Sequence, residues 1–296
     1  MGNSTALTVD RKSGNAGGCA PEQGVGRQHQ QEGRRIAMNI VVLVKQVPDS
    51  GADRNLRSDD NTVDRGSASN VINEMDEYAI EEALKIKEAH GGEVTVLTMG
   101  PDKATESIRK ALSMGPDKAV HIVDDALHGS CAVATSKVLA AALRTLGADL
   151  VLCGSESTDG RVQAMPHMLA ERLGIAALTG ARKLTVDGST LTIERQTEEG
   201  YEVVTATAPA VVSVWDTINE PRYPSFKGIM AAKKKPVQTL SLADLGVAPT
   251  EVGFDGATSA VVEHAKRPPR SGGEKITDEG SGGVQLVEFL ATEKFV

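Results

Sequence analysis

From Met38 onward, short apolar runs alternate with stretches of helical period, and no other feature constrains this chain as strongly. The runs at 39–45, 93–99, 119–123 and 150–153 are strand-sized and lack polar alternation, the pattern of strands covered on both faces. Between them, 77–89 sets Ala79, Ile80, Ala83 and Leu84 at helix spacing, and 103–114 and 131–146 read as two further helices. Asp102 and Ser130 are their expected N-caps. The pattern predicts an α/β fold: a mostly parallel sheet sandwiched by helices. After Gly174 the runs at 182–186, 190–196, 201–206 and 210–214 are punctuated by Asp187-Gly188 and Glu199-Gly200. Asp-Gly between extended runs is a hairpin signal, so this part reads as antiparallel strands added to the parallel core.

The ends differ from this middle. Residues 1–37 are rich in Gly, Gln, Asn, Ser and Arg and have too few large apolar side chains to offset the entropy of ordering, so they read as a disordered extension or a mis-assigned start. An α/β domain is expected over 38–252, and 253–296 reads as an extended C-terminal arm that lies on a partner or on its own domain. That arm is punctuated by Arg267-Pro268-Pro269-Arg270 and Gly280-Ser281-Gly282-Gly283 and ends in an amphipathic piece at 284–290.

Bulk properties remove several function classes. A net charge of −8 opposes a nucleic-acid surface, which needs a dominant basic field. Three cysteines without CxxC spacing indicate neither a disulfide framework nor a zinc site and fit a cytoplasmic protein. No apolar run approaches the roughly 20 residues that span a bilayer, so no direct membrane insertion is expected.

Two segments carry chemistry. The first is the loop Gly154, Ser155, Glu156, Ser157, Thr158, Asp159, Gly160, Arg161, which follows a parallel strand and precedes a helix expected near Val162. Such a loop offers free backbone N–H groups and a helix dipole to an anion, and Gly154 and Gly160 would permit close backbone approach. In the alternative reading it is an ordinary connection in which Thr158 or Asp159 caps the helix. Neither GxGxxG nor GxxxxGK[ST] is present. The second segment runs from Asn219 through Pro221, Tyr223, Pro224 and Phe226 to a short helix with Ile229 and Met230, then the triplet Lys233, Lys234, Lys235. It reads as a docking loop with one apolar anchor, or alternatively as a helix whose lysines complement its own dipole while Phe226 is core. His121, His128 and His167 have no metal-ligand spacing, and no Ser or Cys has a recognisable base partner.

Taken together, Val41-Val42-Leu43-Val44-Lys45-Gln46-Val47-Pro48-Asp49, Asn73-Glu74-Met75-Asp76-Glu77-Tyr78-Ala79-Ile80-Glu81-Glu82-Ala83, Gly100-Pro101, Ile108 through Gly115, Asp117-Lys118-Ala119, the 154–161 loop and Asn219-Glu220-Pro221-Arg222-Tyr223 through Lys235 resemble the beta subunit of electron-transfer flavoproteins, in family order from Met38 to the C-terminus. The resemblance implies a Rossmann-like, adenine-nucleotide-binding core and a heterodimer in which a larger alpha subunit holds most of the FAD while this subunit buries AMP as a structural nucleotide. It places the AMP pocket at Leu43, Asn73, Glu74, Met75, Asp76, Met99 and the loop from Gly154 to Arg161, continuing through Val162, Gln163 and Ala164 to Met165. The family often carries a longer acidic stretch in this loop, whereas here Asp159-Gly160 leads directly into Arg161. It also implies positions near the flavin around Ser50 and Met75, where some members have an aromatic that this chain lacks. Tyr223, Phe226, Ile229 and Met230 would dock acyl-CoA and related dehydrogenases, as in fatty acid beta-oxidation, with Phe226 the anchor, and electrons would pass through FAD to a quinone-linked acceptor oxidoreductase. The chain itself would turn over nothing.

Two other classes share parts of this pattern. A nucleotide-binding protein of the universal-stress type has a similar core but lacks the 219–235 segment. An enzyme acting on AMP or ATP needs phosphate-directed Lys or Arg residues and a metal-binding carboxylate pair, which the sequence does not display.

Overall fold

Val41, Val42 and Leu43 lie on one strand, point alternately to its two sides, and are all buried. That is possible only if helices cover both faces of the sheet, which is why the strand reads as a continuous apolar run. In the computed structural model, which describes residues 8–13, 37–52, 55–269, 272–273, 275 and 277–296, the chain divides into two compact units, Met1–Val261 and Val262–Val296.

In chain order the first unit contains β1 (Thr8–Ser13), β2 (Met38–Leu43), β3 (Gln46–Pro48), β4 (Asn70–Ile72), α1 (Glu74–His90), β5 (Gly92–Met99), α2 (Thr105–Met114) and β6 (Lys118–Ile122). It continues with α3 (Ala132–Leu146), β7 (Leu150–Gly154), α4 (Met165–Leu173), β8 (Ala176–Asp187), β9 (Thr190–Gln196), β10 (Gly200–Thr207), β11 (Ala210–Val214), α5 (Phe226–Ala232), β12 (Val237–Leu240) and α6 (Gly253–Gly256). The second unit contains α7 (Gly282–Thr292).

One sheet has the order β1-β10-β9-β8-β11-β7-β2-β5-β6-β12, and β3 pairs with β4 in a separate two-stranded sheet. From β11 to β12 every pairing is parallel, and β8, β9, β10 and β1 add an antiparallel flank. Each sheet face has its own core. Ile40, Val42, Val94, Val96, Leu150 and Leu152 pack with Ile80, Leu84, Ile108 and Leu112 of α1 and α2, whereas Val41, Leu43, Leu97, Val151 and Val211 pack with Val138, Leu143 and Leu169 of α3 and α4. The chain moves outward from β2 to β5 and β6, then returns to lay β7 on the other side of β2. The crevice between the carboxyl ends of β2 and β7 is therefore the switch point of the sheet, where open α/β sheets place their ligands.

Several sequence expectations are corrected. The run 210–214 is a strand, but it pairs parallel with both β7 and β8 instead of joining the antiparallel flank. Its five residues are all buried, the mark of an interior parallel strand, and only long-range pairing decides its direction. β8 begins at Ala176, runs parallel to β11, then bends at a register shift between Ala181 and Lys183 into the hairpin with β9. Neither expected N-cap holds its position: Asp102 lies inside a short 3-10 turn before α2, and Cys131 is the N-cap of α3. Ser130 instead accepts a hydrogen bond from the amide of Gly253 at 2.8 Å. Within the opening segment, Thr8–Ser13 pairs antiparallel with β10, through backbone groups that composition does not reveal. The remaining residues up to 36 lie outside the described ones. The first unit runs past 252 to Val261, with Val252 buried and the ring of Phe254 edge-on to His128.

Candidate functional site

Gly154 ends β7 at the switch point, and its lack of a side chain lets α1 begin directly beside it. A Cβ there would lie 2.5 Å from the Cβ of Met75 and 2.8 Å from Oδ1 of Asp76. Asn73 then ties the start of α1 to the loop. Its side-chain N–H groups donate to the carbonyl of Glu156 (2.9 Å) and to Asp76 Oδ1 (2.9 Å), and its Oδ1 accepts the amide of Thr158 (3.1 Å). Asp76 Oδ2 accepts the amide of Lys45, the second residue after β2, at 2.8 Å. Burial pushes the Asp76 carboxyl up to about 7 against the hydrogen bonds from Asn73 and Lys45. The ends of β2 and β7 and the start of α1 are thus held together by one carboxylate and one amide side chain.

The loop itself is shaped by non-glycine residues. Arg161 (φ 47°) and Gln163 (φ 55°) both adopt the left-handed conformation, which is uncommon for such side chains and concentrates at functional sites. Gln163 donates to Glu156 at 2.6 Å across the turn. Gly160 does not take a left-handed φ, and a Cβ at that position would meet nothing nearer than 3.5 Å. Of the two glycines only Gly154 makes a close approach, and it is to the start of α1. The helix begins at Met165 with Ala164 at its N-cap, not near Val162, and neither Thr158 nor Asp159 caps it. The side chain of Asp159 is only 2% exposed and receives Lys45 Nζ at 2.7 Å and Arg65 Nη2 at 2.5 Å. Burial raises this carboxyl, but the two cations outweigh it and leave the pKa at about 2.

Of the residues expected to form the pocket, Asn73, Met75, Asp76, Gly154 and those from Glu156 to Gln163 are brought together around this loop. Leu43 and Met99 sit at the carboxyl ends of neighbouring β2 and β5 and pack on the α3 and α4 side. Ser155 turns away, donating through Oγ to the carbonyl of Val214 at 2.7 Å, and Glu74 and Ser50 are exposed. Lys45 and Arg65 were not expected. Only the position of Lys45 just after a parallel strand signals it, and Arg65 lies in a long connection with no local pattern.

The second segment forms a separate, rigid display. Arg222 donates to Glu81 through Nε (2.7 Å) and Nη2 (3.1 Å) and to Glu88 through Nη1 (2.6 Å), bonds that raise its pKa further above the usual arginine value. Asn219 donates to the carbonyl of Tyr78 and to Glu82. Both residues thereby fasten the segment to α1. At the start of α5, Ser225 Oγ accepts the amide of Gly228 at 3.1 Å, and a Cβ on Gly228 would lie 2.5 Å from the carbonyl of Ser113. At its end, Arg109 Nη1 donates to the carbonyls of Ala232 (2.7 Å) and Lys235 (2.9 Å), while Lys235 Nζ donates to those of Leu112 and Gly115 at the end of α2. Lys235 therefore serves the carboxyl end of α2, not that of its own helix. On this fixed base Tyr223 is 95% and Phe226 81% exposed, with Ile229 and Met230 about half exposed.

Among the described residues no group of His, Cys, Asp and Glu could hold a metal ion, and no helix is long and apolar enough to cross a membrane. A doubly wound sheet with a glycine-cornered loop at its switch point defines the class, an α/β protein of nucleotide-binding architecture. The particular family follows from comparison. Residues 60–245 match the electron transfer flavoprotein domain. The electron transfer flavoprotein subunit beta of Mycobacterium bovis is 52% identical over 87% of this chain and 99% of its own length. That of Thermoanaerobacterium thermosaccharolyticum is 39% identical over 86% and 98%, and the caffeyl-CoA reductase-Etf complex subunit CarD of Acetobacterium woodii is 34% identical over 81% and 92%. The chain belongs to the electron transfer flavoprotein family, among its beta subunits.

Proposed function

We propose that this chain is the beta subunit of a heterodimeric, cytoplasmic electron-transfer flavoprotein that binds AMP structurally, completes the FAD site of an alpha subunit and docks dehydrogenases without turning over a substrate itself. The observation that carries this reading is the use of α1. Its first turn builds the loop at the switch point, and residues from the same helix, Glu81 and Glu88, hold the segment that displays Tyr223 and Phe226.

AMP fits the loop on this structure's own terms. Gly154 lets the start of α1 close onto the loop, the left-handed Arg161 and Gln163 turn the chain back on itself, and cationic side chains lie at the loop. Asn73, Asp76 and residues 154–164 would hold the nucleotide, with Leu43 and Met99 beneath it. FAD, when held by the alpha subunit, supplies the redox chemistry, and this chain's contribution to it is confined to the neighbourhood of Ser50 and Met75. The arm fits the same picture. α7 exposes Val284, Leu286, Val287 and Phe289, an apolar surface suited to packing on the alpha subunit.

Docking rests on Phe226. Burying one such side chain in a partner's pocket contributes about 1.5–3 kcal/mol, or roughly ten- to hundredfold in affinity. In an assay where an acyl-CoA dehydrogenase reduces the assembled flavoprotein, which then passes electrons to a quinone-linked acceptor, Phe226→Ala is expected to raise the apparent KM for the carrier by that factor. FAD and AMP contents should be unchanged. Unchanged KM with loss of FAD or of folding would place Phe226 in the core of the complex and end the docking assignment.

A further inference from the structure

In a chain with a net charge of −8, a lysine and an arginine converge at the loop of the switch point. Their main-chain settings are fixed independently. The amide of Lys45 donates to Asp76 and its carbonyl accepts the amide of Asn73 at 2.9 Å, while the carbonyl of Arg65 accepts the side-chain N–H of Asn70 at 2.7 Å. Both side chains end on Asp159, and Lys45 Nζ also donates to Ser157 Oγ at 3.2 Å. The amide of Gly160 donates to the same carboxylate at 2.7 Å, so three donors converge on Asp159. Its own side chain is 2% exposed, whereas those of Lys45 and Arg65 are 43% and 33% exposed. Among the described residues the two cations have no further hydrogen-bond partner, and both keep unused N–H donors toward solvent. The three charges sum to a positive cluster with outward donors and a buried counter-ion, an arrangement that selects an anion and orients its donors in advance.

We propose that Arg65 and Lys45 form the phosphate clamp of the nucleotide site, with Asp159 as the buried anchor that sets their positions. The inference rests on the AMP reading given above and adds to it the residues that distinguish a nucleotide from its nucleoside. A guanidinium and an ammonium match the oxygens of a phosphate, whereas adenine and ribose present nothing for them to neutralise.

The test is titration calorimetry of the full chain, freed of nucleotide, with AMP and with adenosine. The unsubstituted chain is expected to bind AMP at least about tenfold more tightly than adenosine. Arg65→Gln should weaken AMP about ten- to hundredfold, as expected for loss of a charge-assisted contact, and leave adenosine unchanged. Arg65→Lys should keep part of the preference. Lys45→Gln provides a second arm with the same expected signature should Arg65→Gln not fold. Equal weakening of both ligands would make Arg65 a structural residue and overturn the clamp, as would AMP affinity unchanged in both Arg65→Gln and Lys45→Gln. If the unsubstituted chain takes up neither ligand, the AMP reading itself falls and the clamp with it.

Discussion

At the scale of single residues, the two glycines of the loop have different roles despite their similar setting. A methyl group on Gly154 would collide with Met75 and Asp76 at the start of α1, where Asp76 is held by the side chain of Asn73. Gly154→Ala is therefore expected to cost about 1–3 kcal/mol, as overpacking does, and to lower nucleotide content. Gly160→Ala should leave both near the unsubstituted values. Thermal melts and nucleotide extraction on the pair check this, and a neutral Gly154→Ala would contradict the geometry. Asp159 supplies a pH signature. Its carboxyl titrates at about 2 in the folded chain against an ordinary 3.8, so the unfolded chain binds its proton first as pH falls. The stability it contributes is complete above about pH 4 and is lost as pH falls through about 2. Asp159→Asn should lower stability near neutral pH and flatten its dependence between pH 4 and 2 relative to the unsubstituted chain. Parallel acid-denaturation curves for the two would contradict the assigned pairing.

At the scale of elements, α1 is the strut of the molecule. One end is locked to the loop at the switch point through Asn73 and Asp76, and further along Glu81 and Glu88 receive Arg222. Glu81 is 6% exposed and its partner 36%, so the bridge is partly desolvated and removing Arg222 strands a buried carboxylate. Arg222→Met is expected to lower the Tm by roughly 2–10 °C for a loss of about 1–3 kcal/mol. It should also raise the KM for a docking dehydrogenase, because Tyr223 follows it directly, while AMP content is unchanged. A dehydrogenase KM equal to that of the unsubstituted protein would show that the bridge does not position the display. Much at this scale was legible in the sequence. β2, β5, β6 and β7 could be read because strands buried on both faces need unbroken apolar runs. The hairpin between β8 and β9 was marked by Asp187-Gly188, and Gly188 indeed takes a left-handed φ of 57°. The direction of β11 was not legible, since it depends on partners far along the chain. The Lys45–Asp159 and Arg65–Asp159 pairs, separated by 114 and 94 residues, are set by the same long-range topology and leave no local pattern. The exposed setting of Phe226 was one of two readings the sequence allowed, and it took the cap that Arg109 places on α5 and the tie of Lys235 to the end of α2 to show how a seven-residue helix is held in place to present it.

At the scale of the whole molecule, the placement of features follows from the winding of the sheet. The turn-back of the chain at β2 creates the crevice, the crevice receives the loop after β7, and α1 connects that loop to the apolar display. On the proposed function the chain is a carrier subunit and has no need of catalytic groups. On that same proposal it needs a fixed ligand that consolidates the fold, a surface that joins its partner and a second surface that dehydrogenases engage and leave. The account stands most directly on what the first of these holds, and the decisive measurement is the nucleotide released on denaturing the full chain expressed alone and, in parallel, together with its alpha subunit. The expected result is a colourless chain that releases one equivalent of AMP, and a yellow heterodimer that releases AMP and FAD in equal amounts. A chain that alone retains stoichiometric FAD and no AMP would contradict the account.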